Sequence, residues 1–190
     1  MDAMSSALCI EERLCNAATQ KRIPLGGSLE LLPLCNMKCD MCYVRLSREE
    51  MNQKGRIRSG EEWLELARQM KDAGTLFILL TGGEPLLHPD FRMIYCELKK
   101  MGMIVTLNTN GTLSNKEWAD FFAAHRPRRV NITLYGKDSE TYERLCHLRA
   151  GYERTLRGIR LLRERSVDVK INGSLTRENW KDIPQLLETA

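Results

Sequence analysis

From residue 29 onward, apolar runs of strand length alternate with stretches whose apolar positions recur every three or four residues. The runs "LELLPL" (29–34), "TLFILLTGG" (75–83), "MIVTLNTNG" (103–111), "RVNITLYG" (129–136) and "VDVKINGSLT" (167–176) predict five strands. Each is followed by helical material. "SGEEWLELARQMKDAG" (59–74) has the punctuation of a helix: Ser59 as N-cap, acids in the first turn and Gly74 at the end. "PDFRMIYCELKKMG" (89–102), "SNKEWADFFAAH" (114–125), "DSETYERLC" (138–146), "YERTLRGIRLLRERS" (152–166) and "NWKDIPQLLETA" (179–190) predict further helices. Strands alternating with helices at this spacing indicate βα units around a parallel sheet, an α/β fold. Residues 1–28 have no such pattern beyond a short helix holding Cys9 and Cys15. They are expected to form an N-terminal leader, and residues 29–190 a single core with no linker inside it.

In parallel α/β folds the chemistry collects where the strands end and the βα loops converge. Here those loops read CNMKCDMC, TGGEP, NTNG, LYGKD and NGSLT. A connecting loop needs only a glycine and a helix cap, so this rim is chemically unusual. Cys35, Cys39 and Cys42 fall within eight residues, with no fourth cysteine close in sequence. Structural zinc takes four protein ligands, and an iron–sulfur cluster held only by cysteines also takes four. Cys96 and His88 are the sequence candidates for a distant fourth ligand. Zinc with such a distant ligand and coincidence are two readings; a third is a [4Fe-4S] cluster with three cysteine ligands and one open iron, able to bind a small molecule. In "TGGEP" the two glycines permit a close backbone approach or positive φ, and Glu84 places a carboxylate at the strand end.

Composition narrows the class. With 43% hydrophobic and 28% charged residues the chain reads as globular. A net charge of +4 falls well short of the dense basic stripe of a nucleic-acid binder. No stretch reaches the roughly 20 apolar residues of a membrane span. Seven cysteines without an export signal point to a reducing, cytoplasmic setting, where clustered thiols serve metals or catalysis.

Taken in order, C-x3-C-x2-C, GGEP and NTNG at successive strand ends resemble the radical S-adenosylmethionine (SAM) superfamily. "LLTGGEPLLHPDF", "LNTNGT" and "VNITLYGKDSETYERL" look most like the branch that often carries a C-terminal SPASM or twitch domain and includes peptide maturases. The resemblance covers roughly residues 29–180. It implies a partial (β/α) barrel, here of about five parallel strands with the sixth missing, so that the core is expected to be C-terminally incomplete. It implies a [4Fe-4S] cluster on Cys35, Cys39 and Cys42, with SAM chelating the open iron. Reductive cleavage of SAM would give methionine and a 5′-deoxyadenosyl radical that abstracts hydrogen from a substrate. It implies SAM contacts from Gly82, Gly83 and Glu84 to the ammonium, from Met41 or Tyr43 to adenine, and from Asn108 and Thr133 to polar groups. Residues 172–175 would border adenine. The expected partners are a flavodoxin- or ferredoxin-like electron donor and, for this branch, a precursor peptide. The competing reading is a non-catalytic iron–sulfur or SAM-binding module.

Other residues have plainer expectations. Asn108 and Asn110 also suit turn chemistry, and Thr133 suits a strand hydroxyl. Cys96 is expected in the core. His88 is expected to be a loop residue. Cys146 and His147, adjacent on a helix, should not share a face. "HRPRR" (125–129) is expected to be a basic loop at the end of the sheet away from the cysteines, and Cys9 and Cys15 unpaired thiols.

Overall fold

The computed structural model describes residues 9–189. Five strands form one sheet in the order in which they occur along the chain: β1 (Gly26–Glu30), β2 (Phe77–Thr81), β3 (Ile104–Thr109), β4 (Arg129–Leu134) and β5 (Val169–Gly173). All four pairings are parallel. Sequential order with every crossover through a helix is the winding of a (β/α) barrel, not of a doubly wound sheet whose order reverses. The helices are α1 (Ile10–Gln20), α2 (Arg48–Lys54), α3 (Gly60–Asp72), α4 (Phe91–Lys100), α5 (Lys116–Ala124), α6 (Ser139–Cys146), α7 (Gly151–Glu164) and α8 (Ile183–Thr189). Among the described residues no helix is long and apolar enough to cross a membrane.

The period-two pattern of the strands divides the sheet into two unlike faces. Ile78, Leu80, Val105, Leu107, Val130 and Ile132 are fully buried on the outer face. They pack in one cluster with Phe91, Ile94, Tyr95 and Leu98 of α4, Phe122 of α5, and Ile159 and Leu162 of α7. The inner face carries Thr81, Asn108, Asn131 and Thr133, all half-buried. Asn131 Nδ2 donates to Asn108 Oδ1 at 2.8 Å across the β3–β4 pair. Small barrels fill their interior with apolar side chains. A polar interior with room left in it is where a ligand is held.

The structure departs from the expected elements in three places. The first strand lies at Gly26–Glu30, not at 29–34. Leu31 and Leu32 are buried at 1% and 2% exposure, but the chain is already leaving the sheet toward Pro33, which has no N–H to pair. Their apolar run marked burial rather than strand. The strand therefore begins inside the segment expected to be a leader. The second correction is α2, which the apolar pattern does not show. Its signal is the capping box: Ser47 Oγ accepts from Glu50 N–H, and the Glu50 carboxylate accepts from Ser47 N–H at 2.7 Å. The final predicted helix is split into a 3-10 turn (Trp180–Asp182) and α8.

Candidate active site

The loop from residue 31 to 47 is laid across the C-terminal end of the sheet, and its backbone is fastened at both edges. On the β2 side, Gly83 N–H donates to Leu32 O at 2.8 Å and Glu84 N–H to Leu34 O at 2.9 Å. This approach explains the two glycines. A Cβ at position 82 would stand 2.6 Å from Leu32 O, and one at 83 would stand 2.3 Å from Leu34 O. Gly82 also has φ of 136°, which other residues rarely adopt. On the α6 side, Lys38 N–H donates to Cys146 O and Asp40 N–H to Leu145 O, at 3.0 and 2.9 Å. Met37 is buried there with Tyr142, Leu145 and Cys146. Gly83→Ala is therefore expected to push the cysteine loop off β2. It should cost about 2 kcal/mol and lower Tm by roughly 5 °C, as read by thermal unfolding under anaerobic conditions.

This fastening puts Cys35, Cys39 and Cys42 on the wall of one cavity of about 240 Å³. Met41, Tyr43, Gly82, Gly83, Asn108 and Thr133 line the same cavity, as does Ser174. So the structure brings together nearly every residue that the sequence marks. Tyr43 is 92% exposed, at the mouth. Of the fifth-strand end, Ser174 lines this cavity, and Asn172, paired in register with Thr133, lies on the same face of the sheet. Asn172, Gly173 and Leu175 also line a separate apolar pocket against α8.

Glu84 departs from its expected role. Its side chain is fully buried and does not line the cavity. The carboxylate accepts from Thr109 Oγ1 at 2.8 Å, Asn110 N–H at 2.9 Å and Leu86 N–H at 3.1 Å. It ties the end of β3 to the turn after β2. Burial pushes its pKa up to about 7, opposed by those three donors. The atoms positioned to meet an ammonium in the cavity are on the Gly82–Gly83 backbone.

Asn110 does more than make a turn. It is 6% exposed, and its Nδ2 donates to Asn36 Oδ1 at 3.0 Å and reaches Cys35 Sγ at 3.5 Å. Its Oδ1 accepts from Thr112 N–H and Thr112 Oγ1. The NTNG loop thus braces the first cysteine, a role visible only when the loops are folded together. Tyr135 is another missed lining residue, packed edge-on against Tyr142.

The thiols differ. Burial raises Cys35 to about 11, partly offset by Met37 N–H, which donates to its sulfur. Cys39 is lowered because the Cys146 thiol donates to it, and Cys146, which keeps that proton, is raised. Cys146 is thus a fourth thiol close to the loop, which the sequence spacing hid, yet it faces the buried side and not the cavity. Neither sequence candidate for a fourth ligand lines the cavity. Cys96 packs against the core. His88 is the loop residue expected, between the 3-10 turn Pro85–Leu87 and α4, but buried at 3% exposure, with Nδ1 accepting from Asp90 N–H and Nε2 directed at Arg58 O. His147 pairs with Asp40 at 2.6 Å on the surface, away from Cys146.

The donor set suits a cluster better than a single ion. Among the described residues no three His, Cys, Asp or Glu side chains converge on one ion-sized point. Zinc with Zn–S bonds of about 2.3 Å would hold its sulfurs only about 3.8 Å apart. A cluster spreads its ligands over separate irons, and three thiols around a cavity wall fit that demand.

A profile of the radical SAM superfamily matches residues 29–190. The chain belongs to the radical SAM superfamily. Radical SAM relatives include the AdoMet-dependent heme synthase of Methanosarcina barkeri, 29% identical over 85% of this chain and 45% of the relative. The antilisterial bacteriocin subtilosin biosynthesis protein AlbA of Bacillus subtilis is 29% identical over 87% of this chain and 36% of its own length. The fold matches Streptococcus suis SuiB bound to S-adenosylmethionine with a TM-score of 0.71 at 21% identity, over 100% of this chain and 44% of that one. The chain thus spans less than half the length of these relatives.

Proposed function

We propose that this chain carries the catalytic core of a radical SAM enzyme. The observation that carries the reading is the single cavity shared by three thiols, the Gly82–Gly83 backbone and the polar inner face of β3 and β4. Cys35, Cys39 and Cys42 would hold a [4Fe-4S] cluster, and SAM would occupy the cavity. Bound together, these groups supply one-electron cleavage of SAM and a carbon-centred radical. The protein's own residues bind and aim. The carbonyls of Gly82 and Gly83 accept from the SAM ammonium, and Met41 and Tyr43 flank the adenine. Asn108 and Thr133 offer polar contacts to the sugar and carboxylate. Asn110 braces Cys35, and Glu84 holds the loops that carry these groups in register.

The substrate we favour is a peptide. AlbA takes part in bacteriocin biosynthesis, PqqA peptide cyclase is another relative, and SuiB has been seen bound to its precursor peptide. The half-open cavity mouth at Tyr43 suits an extended substrate. A low-potential protein would act as electron donor. The test is SAM affinity before and after anaerobic reconstitution with iron and sulfide. The reconstituted protein should hold about four irons and bind SAM at least about tenfold more tightly than the iron-free form, because the chelating interaction is then added. Equal affinity would reject the open coordination position.

A further inference from the structure

The cysteine loop has a second face. Cys35 lines the cavity described above and also a separate open cavity of about 620 Å³ on the other side of the loop. No other residue lines both. The floor of the second cavity is apolar, with Leu32, Leu34 and Ile57, and Leu87 is 40% exposed at its edge. Its rim carries Lys38, Arg45 and Arg48 against one acid, Glu49. Among the described residues none of these three cations takes part in an ion pair. At the far end of the sheet, by contrast, Arg128 pairs with Glu11 and Arg129 with Asp168. Three unpaired cations around an apolar floor, one wall away from the cluster ligands, form a surface with a sign and a direction.

We propose that this second cavity is the docking surface for the electron donor, a small acidic protein that presents the apolar edge of a low-potential flavin. The inference rests on the reading of Cys35, Cys39 and Cys42 as cluster ligands. An electron arriving through the first cavity would have to cross the cofactor held there. Through the second it reaches the Cys35 side of the centre without doing so. Carboxylates on the carrier would face Lys38, Arg45 and Arg48, and the flavin edge would cover Leu34, Ile57 and Leu87. The anionic flavin hydroquinone would lose one electron and become the neutral semiquinone, keeping its N5 proton, so that no proton crosses the interface. The electron is accepted at the centre that the three thiolates hold. Charge at such a rim acts mainly on the encounter rate, and it is screened by salt.

The test uses the reconstituted full chain and a flavodoxin in its hydroquinone state, mixed anaerobically while the cluster absorbance is followed by stopped flow. The second-order rate of reduction should fall steeply with ionic strength. The combined variant Lys38→Glu, Arg45→Glu, Arg48→Glu should slow it by about tenfold or more at low salt, while reduction by dithionite stays as fast as in the wild type. Glu49→Gln, a change of opposite sign on the same rim, should raise the rate. Flavodoxin reduction that is independent of salt and unchanged in all these variants overturns the proposal. So does a variant that flavodoxin reduces normally but that no longer processes a peptide under dithionite, since the surface would then belong to the peptide. A wild-type chain that takes up iron and is reduced by dithionite keeps the cluster reading intact in either case. One that takes up no iron overturns both.

Discussion

Replacing Cys35, Cys39 and Cys42 together with alanine abolishes iron and sulfide uptake, while Cys96→Ala and Cys146→Ala leave it intact. The contrast follows from where the five sulfurs lie. The first three line one cavity; Cys96 is packed against the core, and Cys146 is fully buried behind the loop. Cys146 is the sharper control, because Cys39 packs against its cluster behind the loop and proximity alone makes it a rival ligand. To become a ligand it would have to leave a packed cluster with Met37, Tyr142 and Leu145. Replacing its sulfur by hydrogen removes a buried donor and leaves a small void, worth about 1–2 kcal/mol of stability, but leaves three ligands in place. The measurement is iron and acid-labile sulfide per chain after anaerobic reconstitution, with the absorbance near 400 nm (roughly where thiolate-to-iron charge transfer appears). Loss of iron in Cys146→Ala would show that the centre has four thiolate ligands and no open position.

Glu84→Ala is the second large effect. It leaves Thr109 Oγ1, Asn110 N–H and Leu86 N–H buried without their acceptor. Unsatisfied buried donors cost about 1–3 kcal/mol each, and partial relaxation should bring the total to roughly 4 kcal/mol. That should lower Tm by about 10 °C and loosen both the GGEP turn and the NTNG loop, so SAM affinity falls with it. The wild-type carboxyl also makes stability depend on pH. Its pKa is about 7 in the folded state against 4.5 for the free group. Between those values the folded state binds more protons than the unfolded. Stability is therefore highest below about pH 4.5 and falls as pH rises toward 7, by about 3 kcal/mol in all from this group. Urea unfolding at several pH values should show this slope in the wild type, and Glu84→Gln should lack it. An identical slope in both proteins would mean that Glu84 is not the titrating group. Unchanged stability in Glu84→Ala would contradict its bracing role.

The strands were legible because four of the five apolar runs coincide with pairing in the sheet, and the glycines after β2 because a close approach demands them. The first strand was not, since Leu31 and Leu32 owe their burial to the loop above them and the paired residues Gly26 and Gly27 look like a break. Asn108, Thr133, Gly82 and Gly83, which the family resemblance singled out, all line the cavity. The inward turn of Glu84 was not legible. A carboxylate at a strand end looks the same in sequence whether it faces a ligand or three donors of its own chain, and two of those donors, Thr109 and Asn110, come from a loop 25 and 26 residues away. Asn110 and Cys146 were hidden for the same reason. Their partners, Cys35 and Cys39, are brought to them only when β3 and α6 close around the cysteine loop.

The most direct test of the central claim is chromatographic detection of 5′-deoxyadenosine from added SAM. The chain would be reconstituted anaerobically and reduced with dithionite, alongside the Cys35/Cys39/Cys42 alanine variant. The account predicts 5′-deoxyadenosine from the wild type and none from the variant. A wild-type chain that holds its cluster and is reduced, yet leaves SAM intact, would contradict it and make this core a binding module.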